Sequence, residues 1–115
     1  YMSEEQVITI SPEEAKLLRE ESNKRIDISN ALIRLTNNPD FKLVFLDEYC
    51  TNEPVRLVKL LGEPSFNLSD KKEEYREDIQ ERMIGVARFD EFMRNVHKTA
   101  ERAEKTLQDL ADSGC

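Results

Sequence analysis

A chain of 115 residues with 38% apolar and 36% charged side chains has room for one modest core. Its net charge of −7 argues against nucleic acid as a major partner, because phosphate binding needs a basic face. No run approaches the roughly 20 apolar residues of a membrane span, so neither nucleic acid nor a membrane is expected as a partner. The low apolar fraction suits long amphipathic helices. Cys50 and Cys115 lie far apart and read as two free thiols of a reducing cytoplasm. Tyr1 stands before Met2 and reads as an added residue, and the acidic start has no apolar run of the kind a secretory leader carries.

Residues 1–10 are expected to form an N-terminal arm. Gln6, Val7, Ile8, Thr9 and Ile10 have strand propensity, but no partner strand follows. Residues 11–115 are expected to form a single helical domain. Ser11, Pro12 and Glu14 make a capping box with Pro at the first helical position, and the helix they open should run to Thr36 or Asn37. One of its faces carries Leu18, Ile28, Leu32 and Leu35. Another carries Ala15, Ser22, Ile26, Ser29 and Ile33. Glu20 with Lys24 and Glu21 with Arg25 are favourable pairs across one turn.

Asn38 and Pro39 start a second helix over residues 39–50, apolar on most sides and therefore expected to be the most buried element. Phe41, Val44, Phe45 and Leu57 are its predicted contribution, with the next helix, to the core. Thr51, Asn52, Glu53 and Pro54 repeat the cap-and-proline device, and the short helix after them should end at Gly62. Phe66 and Leu68 are expected to pin the following loop, and Ser69 to cap the last helix.

That last helix, over residues 70–111, organises the chain. Its apolar residues Tyr75, Ile79, Val86, Phe89, Met93, Val96, Ala100, Ala103, Leu107 and Leu110 step by three and four, a heptad pattern. Arg82 fills the one gap and reads either as a polar residue that sets register or as the ion-pair partner of Asp78. Gly85 beside the seam implies close approach of a neighbour or a slight bend. The first helix is too short to cover the whole seam. Val96, Ala100, Ala103, Leu107 and Leu110 are therefore expected to form an interface with another copy or a partner.

Candidate chemistry is thin. His97 is the only histidine and has no second ligand at metal spacing, so it reads as a partly exposed surface or interface residue. Glu73, Glu74, Glu77, Asp78 and Glu81 suit the positive end of a helix dipole better than a metal or an acid/base pair. Cys50 has no base beside it in sequence and reads as a core cysteine. Gly62, Gly85 and Gly114 are isolated, so no phosphate loop is present. No catalytic residue, metal or cofactor is expected.

The run Leu32-Ile33-Arg34-Leu35-Thr36-Asn37-Asn38-Pro39-Asp40-Phe41-Lys42, with Tyr49, Leu57 and a long alanine-bearing C-terminal helix, resembles small helical proteins of tailed bacteriophages. The resemblance loosely covers residues 30–111 and implies a phage product of the bacterial host cytoplasm or the virion that acts by protein contact. The expected fold is all-α: an antiparallel hairpin of long helices, two short helices between them, and a long heptad-like C-terminal helix. The expected function is a non-enzymatic assembly or structural protein that self-associates through that helix. The alternative is a small acidic inhibitor that binds a host protein or sequesters a small ligand between subunits.

Overall fold

The computed structural model describes residues 10–114. The chain is all-α. Helix α1 spans Pro12–Thr36, α2 Pro39–Phe41, a π-helical segment Lys42–Asn52, α3 Glu53–Leu61, α4 Pro64–Asn67 and α5 Lys72–Asp112. The predicted arm over residues 1–10 lies, apart from Ile10, outside the described residues. The chain divides into two compact units, one made of residues 10–30 with 96–114, the other of residues 31–95.

The first unit is a helix pair. The expected capping box forms: the Ser11 N–H donates to Glu14 Oε1 and the Glu14 N–H donates to Ser11 Oγ, both at 3.1 Å. From α1 the unit buries Ala15, Ser22 and Ser29, seven residues apart. From α5 it buries Val96, Ala100, Ala103 and Leu110. Ser29 lies against His97 near one end, and Ile10, Pro12 and Ala15 share a depression with Gly114 near the other, so the two segments run antiparallel. Small side chains on both helices let the backbones approach closely. The more apolar face of α1 is not the one used: Leu18 is 41% and Ile28 37% exposed.

This corrects the interface assignment. Val96, Ala100, Ala103 and Leu110 are buried within the single chain and Leu107 is half-buried there. The length argument failed because the stretch of α1 within this unit is enough for residues 96–110, and Ala15, Ser22 and Ser29 are the α1 residues buried there.

The second unit starts as predicted. Asn38 caps α2, its side-chain oxygen accepting from the N–H groups of Asp40 (2.9 Å) and Phe41 (3.1 Å). The predicted break at Thr51–Asn52 does not occur. Asn52 is helical (φ −78°, ψ −36°), its side chain caps nothing, and its amide instead donates to Glu48 Oε1 at 2.9 Å. The helix passes straight through in π winding: the Glu53 N–H donates to the Glu48 carbonyl five residues back, and Thr51 Oγ1 donates to the Leu46 carbonyl at 2.9 Å.

Two features of the sequence favour that winding. Pro54 has no N–H to return to Cys50, and its ring would crowd the Cys50 carbonyl in an α-helix. The half-buried residues of the segment and its start, Phe41, Leu46 and Cys50, recur every four to five positions. At 3.6 residues per turn Phe41 and Cys50 would stand on opposite sides; at roughly 4.4 they share one.

The π segment is not the most buried element. It holds no fully buried residue, and Leu43 is 63%, Val44 53% and Phe45 43% exposed. Of the four predicted core residues, Leu57 alone is fully buried, at 0%, while Phe41 is half-buried. Ile79, Val86 and Met93 complete the buried set of this unit. Around them the aromatic rings interlock: Phe41 stacks on Phe45 at 5.0 Å, and Phe89 meets Phe45 at 6.0 Å and Tyr49 edge-on at 5.7 Å. Phe66 packs on Tyr75 at 5.6 Å, but Leu68, expected to pin the same loop, is 85% exposed.

Gly85 marks a close approach. A Cβ there would stand 3.6 Å from Tyr49 Oη, an ordinary contact. Gly85→Ala is therefore expected to stabilise the chain by about 0.5–1 kcal/mol through helix propensity alone. A shift of the urea midpoint to lower concentration would show that the tyrosine cannot accommodate the methyl group.

Candidate functional site

Two surface features of the second unit stand out. The first lies on the outer side of the π segment and α3, where Leu43, Asp47, Thr51, Val55 and Lys59 follow one another at steps of four and are all exposed. Four residues fall slightly short of a π turn and slightly beyond an α turn, so the row winds gently one way and then back. Pro54, Val55, Val58 and Lys59 line one shallow depression on it. The exposed Val55 (52%) and Val58 (53%) give it an apolar floor.

The second is a groove lined by Leu60, Phe66, Tyr75, Asp78, Ile79 and Arg82. Its base is aliphatic and aromatic. Arg82 is exposed and pairs with Asp78 at 3.0 Å across one turn of α5. The ion-pair reading of Arg82 thus holds within the chain, and the arginine stands outside the core. Such an exposed pair contributes little to stability. At the start of α3, Arg56 grips Glu53 with two bonds of 2.7 and 2.9 Å. The hydrogen bond from Arg56 holds the Glu53 carboxyl below the usual glutamate range, and the positive charges of Arg56 and Arg82 add to the effect.

The residues singled out for chemistry do not converge. Glu73, Glu74, Glu77, Asp78 and Glu81 are all exposed along α5. Among the described residues no three His, Cys, Asp or Glu side chains gather as metal ligands would. Cys50 is a free, half-buried thiol, pushed above its ordinary pKa first by burial and then by the Asp90 carboxylate. It therefore carries less thiolate at neutral pH than an exposed cysteine. Cys115 lies outside the described residues.

His97 does have a partner that sequence reading missed. Its Nδ1 lies 2.7 Å from Ser29 Oγ, 68 residues away in sequence. Ser29 is 7% exposed, too enclosed to reach a substrate, so the pair joins two helices rather than forming a nucleophile and base. The recurrence of Ala15, Ser22 and Ser29 every seven residues was the signal available. Ser29→Ala is expected to cost about 1 kcal/mol, since half-buried His97 retains access to water. Loss of more than about 2 kcal/mol in a denaturant titration would instead mean that Nδ1 is stranded.

Among the described residues no helix is long and apolar enough to cross a membrane. Compared with protein-family models, curated proteins and solved structures, the chain matches none.

Proposed function

We propose that this chain is a non-enzymatic assembly protein that works by associating with further copies of itself, in the setting of bacteriophage particle assembly that its sequence resemblance implies. One observation carries the reading. Residues 31–95 leave Leu35, Leu43, Val44, Val55, Val58, Leu68, Ile84 and Phe92 about half exposed or more. Soluble monomers scatter such residues singly; four of these eight belong to one helical run, the pattern of a contact surface. With the C-terminal seam of α5 filled by α1, this run replaces it as the surface for self-association.

Sedimentation velocity on the full chain between about 1 and 100 micromolar tests the reading, a range that spans ordinary assembly affinities. A sedimentation coefficient that rises with concentration supports it. A single monomer boundary throughout removes it. The chain should also be abundant in purified phage particles.

The groove beside Arg82 favours a second reading, the small acidic inhibitor that binds a host protein or holds a small ligand. Its apolar base and charged rim suit one apolar group carrying a polar end. A monomeric chain that is absent from particles would favour that reading.

A further inference from the structure

Resting on the self-association reading, we infer that the contact is the exposed row from Leu43 to Lys59 and that its occupant is a second copy of this chain lying antiparallel across it. Charge decides both points. Glu53–Arg56, Asp78–Arg82 and Asp90–Arg94 are paired within residues 31–95. Asp47 and Lys59 lie exposed on the same row, and among the described residues neither has an ion-pair partner.

Two copies that each carry −7 repel unless their contact brings unlike charges together. A parallel pairing would set Asp47 on Asp47. An antiparallel two-fold pairing sets Asp47 of each copy against Lys59 of the other, twice, and brings Thr51 opposite Val55. A two-fold contact of this kind closes on itself and uses one patch for both copies.

Leu43 and Val55, the apolar members of the row, expose on the order of 200 Å² between them, about a quarter of the roughly 800 Å² that one partner contributes to a standard interface. The polar residues of the row, Asp47, Thr51 and Lys59, supply part of the remainder, and an interface of mixed polarity is the usual composition.

Sedimentation equilibrium on the full chain and on Asp47→Lys, Lys59→Asp, the double swap D47K/K59D, and Val55→Asp tests the arrangement. Each single reversal is expected to weaken dimerisation at least about tenfold, because it places like charges together at two symmetric positions. The double swap is expected to restore the wild-type constant within about threefold. Val55→Asp is expected to leave monomer. All three positions are exposed, and the far-ultraviolet circular dichroism of every variant should match wild type. A wild-type chain that stays monomeric overturns the self-association reading and this surface with it. An oligomer indifferent to all four changes overturns the surface alone. Single reversals that weaken the dimer without rescue in the double swap overturn the antiparallel arrangement.

Discussion

Leu57→Ala is expected to destabilise the chain by about 2–5 kcal/mol, the range for removing a fully enclosed leucine. Leu57 is the largest side chain with no exposure at all. Its unit buries few others, namely Ile79, Val86 and Met93, all from the long helix. The remaining apolar groups of the π segment are half in water and cannot close over a cavity without abandoning contacts of their own. Against a total stability of about 5–15 kcal/mol, such a loss is a large fraction. Urea titration followed by the helix signal measures it. A loss under about 1 kcal/mol would mean that the surrounding side chains refill the space.

Ala103→Glu is the second large effect. Ala103 is 4% exposed, in a unit whose buried residues are alanine, serine, valine and leucine. A carboxylate there would be buried in place of a methyl group, and the expected cost is about 3 kcal/mol or more. The readout separates core from interface. A residue at a contact between copies would let the assembly fall apart while the helices persisted. A residue in the chain's own core takes helix content with it, because α1 loses the surface it packs on. Far-ultraviolet circular dichroism is expected to show that loss at temperatures where wild type is fully helical. An unchanged spectrum with altered sedimentation would return Ala103 to an intermolecular contact.

Local chemistry was legible in the sequence. Ser11 with Glu14 and Asn38 with Pro39 carry their hydrogen bonds within one turn, so residue type and spacing suffice to place them. The seam of α5 was legible for the same kind of reason: Ile79, Val86, Met93 and Leu110 repeat over many turns and are buried. The π segment was not legible, because a period of 3.6 was imposed on residues that follow a longer one. On that assumption Phe41 to Leu46 looked apolar all round, and Asn52 with Pro54 looked like a new start.

The partner of the C-terminal seam was missed for a different reason. Leu18, Ile28 and Leu35 are the larger side chains of α1, yet helices come closest where side chains are smallest. Ala15, Ser22 and Ser29 were therefore the face to follow. The exposed row on the π segment and α3 depends on π winding, which is why Leu43, Thr51 and Val55 did not stand out as neighbours in the sequence.

The make-up of the helix pair sets an order of events during synthesis. Residues 31–95 are one uninterrupted stretch and can gather around Leu57 as soon as they have left the ribosome. Ala15, Ser22 and Ser29 emerge long before them but must wait for Val96 to Leu110, so this helix stays without its cover until those residues have been made. Closing that pair also spans some 65 residues of intervening chain, a loop whose entropic cost is far smaller once that stretch has already folded. The helix pair is thus completed after the stretch that lies between its two members.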